Sequence, residues 1–489
     1  MPDTCKGFPT NVLMAPNLGL SSLAGNLDKK HSVKITDLVL RRKDIKEAIA
    51  ESLEKTVPDI VGISAMTFQY KTAVRIAEFI KKLNQNIKTA LGGYHASLMF
   101  REIGESRDAA FLDFLFRGES DLSFNEAMDR LENGKDLSTL DGLSFKRNGK
   151  FIHNRKRELE DLNQIKLPDR NVRLWKGLNA LKVPFDLIES SRGCLMSCNF
   201  CNIRSMYGRS FRSYELKRIM RDIESAKKLG IRILFFVDDN ITIDVERFEL
   251  LCDEIIKNGH NDLLYAVQAS SAGIASSERL VNKMATAGFK VVFLGIENRS
   301  RKNLELLNKG DIIDKSVLAV RYLKENRILI IGGFIIGNPD DDYQSIKDTY
   351  RFAKDLKVDF GAIQILIPYP KTEIRDKLLE SSLLINRDNF KKYDGGYSNL
   401  KTKYLSDKEL DFIKYSLDRK YLKTQEFNVI KVLLKNKLKS LRFLRGIINL
   451  IPNILSFVLI VRIKRLFMSE KQIFFQYLQR VSKLNEFDI

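Results

Sequence analysis

Three of the five cysteines in this chain fall within the run Ser191-Arg192-Gly193-Cys194-Leu195-Met196-Ser197-Cys198-Asn199-Phe200-Cys201. Their spacing is C-x3-C-x2-C, and no fourth ligand with paired spacing accompanies them. A closed structural zinc site takes four protein ligands. The nearest candidates, Cys252, His153 and His260, are remote in sequence. Three thiolates suit a cubane iron–sulfur cluster that leaves one iron free for an exogenous ligand. A zinc knuckle and chance clustering are the competing readings, and the flanking motifs weigh against both.

Elements on either side must hold such a loop. Residues 10 to about 135 carry strand-like apolar runs at 12–14, 33–40, 60–64, 88–93 and 111–116. Between them, 44–55 and 71–83 show apolar residues at helical spacing. This alternation predicts an α/β fold with a parallel, doubly wound (Rossmann-like) sheet. Ligands on such sheets bind beyond the C-terminal strand ends. Ser64, Gly92, Gly93 and Gly118 stand there, and glycine lets backbone approach a bulky ligand closely. Residues 136–182 read as a connector, with a β-hairpin over 142–152 turned at Asn148-Gly149. From 183 to 380 strand-like runs recur at 231–238, 264–269, 290–297, 328–336 and 360–367. With the run that leads into Cys194, they make six βα units.

The cysteine spacing and its place after a strand resemble the radical S-adenosylmethionine (SAM) superfamily. That resemblance implies a [4Fe–4S] cluster on Cys194, Cys198 and Cys201, with SAM chelated by the free iron. It further implies an external electron donor of flavodoxin or ferredoxin type, and cleavage of SAM to a 5′-deoxyadenosyl radical. The six units would form the superfamily's partial (β/α)6 barrel, with chemistry at the C-terminal strand ends. Carried onto this sequence, Phe200 lines the adenine pocket, and Asp238 in Phe236-Val237-Asp238-Asp239-Asn240 contacts SAM, leaving Asp239 and Asn240 to a turn. Gln268 and Glu297 face SAM, and Gly337 packs against adenine. Pro368 opens the turn Pro368-Tyr369-Pro370-Lys371-Thr372, in which Lys371 replaces the family's glycine. Upstream, Gly62-Ile63-Ser64, Leu91-Gly92-Gly93-Tyr94-His95 and Phe116-Arg117-Gly118-Glu119 resemble the domain of cobalamin-dependent radical SAM enzymes. The implied cobalamin contacts are Ser64, Gly92, Gly93, Gly118 and Glu119. The Asp-x-His-x-x-Gly signature is absent, so no histidine is assigned below cobalt, and His95 is expected to line the ligand or serve structure. The expected divisions are 1–135 for cobalamin binding, 136–182 as connector, 183–380 as radical SAM core and 381–489 as a helical C-terminal region.

Composition is that of a globular protein, 44% apolar and 29% charged. Five cysteines argue against a disulfide scaffold, and the N-terminus carries no basic-then-apolar signal, so a reducing, cytoplasmic setting is expected. The net charge of +20 is uneven: residues 401–489 hold 19 Lys/Arg against 8 Asp/Glu, and 430–468 hold nine basic residues and no acid. Such an excess favours an anionic partner, either nucleic acid or a membrane surface, unless it is a solvated face. The 15-residue apolar run 447–461 is shorter than the roughly 20 residues that span a bilayer. Flanked by Arg442, Arg445, Arg462, Lys464 and Arg465, it suits an in-plane interfacial helix, with a buried cap helix as the alternative. The resulting expectation is methylation or cyclisation at an unactivated carbon of a hydrophobic, lipid substrate, as in hopanoid methylases, tetraether ring-forming enzymes and the anaerobic porphyrin-ester cyclase. Peripheral membrane contact through 430–468 is expected, and nucleic acid is not. RNA methylthiolation would explain the charge, but those enzymes carry a second cysteine triad near the N-terminus, where only Cys5 stands. A non-catalytic cobalamin or metal sensor with a nucleic-acid-binding tail is the third reading, separable by 5′-deoxyadenosine production.

Overall fold

The structure, a computed structural model, describes residues 1–3, 13–422 and 470–483. The first strand, β1 (Leu13–Met14), does not join its neighbours in sequence; it pairs antiparallel with β7 (Asn179–Ala180), far along the chain. The N-terminal sheet consists of β2 (Ile60–Ser64), β3 (Lys88–Gly92) and β4 (Phe114–Phe116), parallel and in sequential order. Helices Ile45–Thr56 and Tyr70–Leu83 cover one face. Their small, fully buried Ala48, Ala73 and Ala77 let the backbones approach Ile63, Leu91 and Leu115. Helix Ser123–Glu132 covers the other face, seating Ala127 and Met128 with Ala90, Phe114 and Phe116. Three layers result, as a doubly wound domain requires.

The strand expected over 33–40 does not form. Ile35 bridges only to Arg173, and its backbone bonds run to Val172 and Leu174 of the connector before a 3-10 turn at Leu38–Arg41. The hairpin over 142–152 is present as β5 (Leu143–Arg147) and β6 (Lys150–His153), with Asn148 and Gly149 at φ 52° and 77°. It does not stand apart as a connector. β5 pairs antiparallel with β4, so the hairpin widens the N-terminal sheet.

β8 (Val183–Ile188) opens the second sheet, and after β9 (Ser191–Arg192) and β10 (Arg212–Ser213), which pair with each other, come β11 (Ile233–Phe236), β12 (Leu264–Ser270), β13 (Phe289–Glu297), β14 (Leu329–Ile336) and β15 (Phe360–Ile365). β8 and β11 to β15 are parallel and adjacent in that order, six strands curled into an open barrel, with β7 and β1 extending one edge. Side chains alternate across each strand. The outer row, including Ile188, Phe236, Val267, Leu294 and Phe334, is buried beneath the helices. The inner row is half-buried.

The segment expected to be helical follows the barrel. Among the described residues it holds a Leu384–Leu400 bridge, a 3-10 turn at Phe390–Lys392, and helices Asp407–Leu417 and Glu470–Lys483. Phe390 and Tyr393 return to the N-terminal domain and join its core. The run 447–461 and its basic flanks lie outside the described residues. Among those residues no helix is long and apolar enough to cross a membrane.

Candidate active site

The cysteine loop hangs from β9, and its entry is fixed by glycine. Gly193 takes φ +88°, and a Cβ there would lie 2.3 Å from the Ser210 carbonyl oxygen. Its N–H donates to Asp239 Oδ2 at 2.9 Å. Two later segments clamp the loop from outside. Asn199 N–H donates to the Leu307 carbonyl, and Asn308 Nδ2 donates to the Ser197 carbonyl at 2.9 Å. From the segment after β15, Ile374 N–H donates to the Asn199 carbonyl at 3.2 Å. Three strands' C-terminal connections therefore set the loop.

Cys198 is buried, Cys194 and Cys201 are half-buried, and all three are free thiols. Among the described residues no three His, Cys, Asp or Glu side chains converge on a single ion. Three thiols on one clamped loop, with no fourth protein ligand among the described residues, fit a cubane that leaves one iron free. Cys252 lies fully buried in the barrel's outer core. Burial pushes the Cys201 thiol up to about 12, so its thiolate needs an adjacent cation, which coordinated iron supplies. A cleft of about 220 Å³ reaches Cys198 and Cys201 from a rim of Arg204, Lys371 and Glu373.

Of the two neighbouring acids, the one expected to meet SAM is held by its own strand ends. Asp238 is buried, and its carboxylate accepts from Ser190 N–H at 3.0 Å, Ser190 Oγ at 2.6 Å and Ser191 Oγ at 2.5 Å. These bonds tie the ends of β8 and β11 together. Asp239, expected in a turn, is the carboxylate beside the thiols: it acts electrostatically on Cys194, Cys201, Tyr94 and Tyr207. Burial raises it to about 6. Burial pushes Tyr94, from the glycine motif of the first domain, and Tyr207, just past the cysteines, well above their ordinary values.

Glu297 ends β13 at φ +64°, a conformation rare for a side-chain-bearing residue, and pairs with Lys309 Nζ at 2.8 Å. Burial opposes the lysine's charge, but Glu297 and the thiols of Cys198 and Cys201 outweigh it and hold Lys309 above its ordinary value. Sequence reasoning missed Lys309, because a lysine following a helix is one of 82 basic residues and reads as solvated surface. Phe200 packs half-buried against the barrel core. Gly337 takes φ +77° with a virtual Cβ 3.0 Å from Ile365. The Pro368 carbonyl accepts from Arg375 at 2.9 Å. Lys371 adopts φ +62°, so the turn keeps the shape glycine would give it. Gln268 lies on the concave face of the barrel, in a half-buried register row with Phe293, Ile331 and Phe360.

In the first domain, Ser64, Gly92 and Gly118 lie at the C-terminal edge of the sheet. Space is open above Gly118, and a Cβ on Gly92 would meet nothing closer than 3.9 Å. Gly93, at φ +93°, is needed for a different reason: a Cβ would lie 2.7 Å from the Ala65 carbonyl oxygen. Glu119, expected to contact cobalamin, is buried in a two-pronged pair with Arg212, at 2.8 and 2.7 Å. His95 is core: it packs 4.3 Å from the Tyr70 ring and 4.9 Å from Phe390, and burial lowers it to about 3.

Residues 188–353 match the radical SAM superfamily and residues 12–127 the B12 binding domain. An uncharacterised methyltransferase of Pyrococcus horikoshii is 30% identical over 397 residues, 81% of this chain and 85% of that protein. This chain belongs to the cobalamin-dependent radical SAM family. The anaerobic magnesium-protoporphyrin IX monomethyl ester cyclase of Rubrivivax gelatinosus is 25% identical, over 74% of this chain and 66% of that one. Among solved structures, the radical SAM methyltransferase TsrM of Kitasatospora setae, with cobalamin and a [4Fe–4S] cluster bound, superposes with a TM-score of 0.63 at 17% identity, covering 75% of this chain and 74% of that one. The cobalamin-dependent radical enzyme OxsB gives 0.59 at 19% identity, over 76% and 53%. The radical SAM protein described here is an enzyme of the methyltransferase and cyclase type, and its cofactors are a [4Fe–4S] cluster, SAM and cobalamin. It needs an external electron donor and a substrate.

Proposed function

We propose that this enzyme methylates, or closes a ring at, an unactivated carbon of a hydrophobic substrate held on the concave face of the barrel. The observation that carries this is the inner face itself: Phe235, Ala266 and Val291 in one register row, and Phe293, Ile331 and Phe360 beside Gln268 in the next, are half-buried apolar side chains on adjacent strands. A surface of that kind suits an apolar ligand. The relatives named for magnesium-protoporphyrin and bacteriochlorophyllide act on large hydrophobic rings, and the basic tail favours a lipid.

When bound, the cluster supplies the electron that cleaves SAM to a carbon radical, and cobalamin supplies a methyl carrier. The chain's own residues bind and orient. Lys309 would hold a carboxylate, and Glu297 and Asp239 an ammonium, by charge-assisted hydrogen bonds. Phe200, Gly337 and Pro368 would frame adenine, with Gln268 alongside. Ser64, Gly92 and Gly118 would floor the corrin, and Gly93 would shape that floor. The working divisions remain 1–135, 136–182, 183–380 and 381–489, with the hairpin serving the first. A small acidic flavodoxin or ferredoxin would deliver the electron, and residues 430–468 would dock the enzyme peripherally on a membrane.

Anaerobically reconstituted enzyme with methyl-labelled SAM tests this against separate lipid, tetrapyrrole and RNA fractions. Substrate-dependent 5′-deoxyadenosine with either the lipid or the tetrapyrrole fraction, carrying label if the reaction is methylation, is the expected result. Turnover with RNA alone would refute the hydrophobic reading.

A further inference from the structure

Where the C-terminal edges of the two sheets meet, two arginines and three carboxylates are buried together. Arg192, two residues before Cys194, donates through Nη1 to Asp121 Oδ2 at 2.7 Å, and through Nη2 and Nε to Glu189 at 2.7 and 3.0 Å. Glu119 Oε1 lies 3.4 Å from the same Nη1. Arg212, paired in register with Arg192 across β9 and β10, takes both oxygens of Glu119. Asp121 also accepts from Ser22, and the Tyr214 hydroxyl donates to Glu189 at 2.7 Å. Side-chain exposure across Arg192, Glu119, Asp121 and Glu189 is 3 to 12%.

Buried ion pairs of this kind add little net stability, because desolvation cancels most of the attraction; what they fix is relative placement. Glu119 and Asp121 directly follow Gly118 at the edge of the cobalamin floor, and Arg192 directly precedes the cysteine loop. The hub therefore joins the two cofactor-binding elements side chain to side chain. Phe390 and Tyr393 add an apolar crossing between the domains. The ion pair of Lys371 with Glu102 is half exposed on both partners, so water competes for it.

The geometry points to Arg192, seconded by Arg212, as the positioning residue that sets the distance and tilt between the corrin floor and the cluster loop. This rests on the reading that the corrin lies over Ser64, Gly92 and Gly118. A planar fork can hold Asp121 and Glu189 at once, whereas a lysine is a point charge on a flexible stem. Arg192→Lys keeps the charge and loses the fork.

The test uses the full-length holoenzyme with both cofactors loaded, the cluster reduced and the corrinoid as cob(II)alamin. Electron paramagnetic resonance then reads the dipolar interaction between the two paramagnets, which falls with the cube of their separation. Wild type should show coupled spectra. Arg192→Lys should retain iron, sulfide and corrinoid in wild-type amounts and retain substrate-free SAM cleavage. Its coupling should be lost or dispersed, and product formation should fall on the order of 100-fold, as expected for a misplacement near 1 Å. If Arg192→Lys does not yield folded protein, Asp121→Asn carries the same expectation. Unchanged coupling in a coupled-spin holoenzyme would overturn the inference, leaving the hub as packing alone. A wild type that binds no corrinoid would instead overturn the reading on which it rests. Reversal of the second pair, Arg212→Glu with Glu119→Arg, should restore coupling that each single change removes; no restoration counts against a placed ion pair.

Discussion

Two neighbouring carboxylates, Asp238 and Asp239, divide the work at the end of β11. Asp238 accepts three bonds from Ser190 and Ser191, while Asp239 accepts one, from Gly193 N–H. Asp239→Asn should therefore leave iron content unchanged and lower SAM cleavage about 10- to 100-fold, whereas Asp238→Asn should lose loop order and iron together. Iron analysis beside 5′-deoxyadenosine assays separates them, and the reverse pattern would return the ligand role to Asp238. Both Asp238 and Glu119 were legible in sequence as acids at strand ends. Their partners were not, because Ser190, Ser191 and Arg212 meet them only through the fold. His95 carries a pH prediction. Its folded value of about 3 lies below the unfolded one near 6.5, so its contribution to stability is full above pH 6.5 and is lost as pH falls toward 3. Relative to a His95→Phe variant, wild type should lose about 1.4 kcal/mol per pH unit below 6.5, measured by denaturant unfolding. Parallel curves would mean the imidazole finds a proton-stabilising partner.

At the scale of elements, the barrel strands were readable because six parallel strands buried on their outer face are near-continuous apolar runs bounded by turns. The segment 33–40 has the same apolar look, yet its backbone bonds to residues 172 and 174, a choice made by the connector and invisible locally. The Asn148-Gly149 turn announced a hairpin, but nothing in the turn says which sheet receives it. Positive-φ positions make the sharpest test of element geometry. Gly193→Ala would both strain φ +88° and press a methyl to 2.3 Å from the Ser210 carbonyl oxygen, backbone that cannot step aside. Loss of most cluster iron is expected. Lys371→Gly, at φ +62°, should instead be tolerated to within about 1 kcal/mol, since relief of left-handed strain offsets loss of an exposed ion pair. A Gly193→Ala variant with full iron would mean the loop entry can shift without harm.

The whole molecule is held by more than one crossing of the domain boundary. Phe390 and Tyr393, from beyond the barrel, complete the core beside His95, while Leu384, Leu400, Leu410 and Ile413 join the barrel core, so the segment after the barrel packs on both domains. The charge is concentrated further along: nine basic residues and no acid within 430–468 around an apolar run of 15. Each Lys or Arg near an anionic surface contributes roughly 1 kcal/mol, and salt screens that attraction over about 10 Å at 0.1 M. The full chain should therefore float with anionic liposomes, ignore neutral ones, and release as ionic strength rises. Replacing Arg442, Arg445, Arg462, Lys464 and Arg465 with Gln should abolish flotation while substrate-free SAM cleavage stays within about twofold, because none of the five belongs to the cluster loop or barrel. Flotation that survives both salt and the five replacements would mean the apolar run inserts without electrostatic help. No flotation in wild type would remove the membrane argument for a lipid, and the apolar face of the barrel would then have to choose the substrate alone.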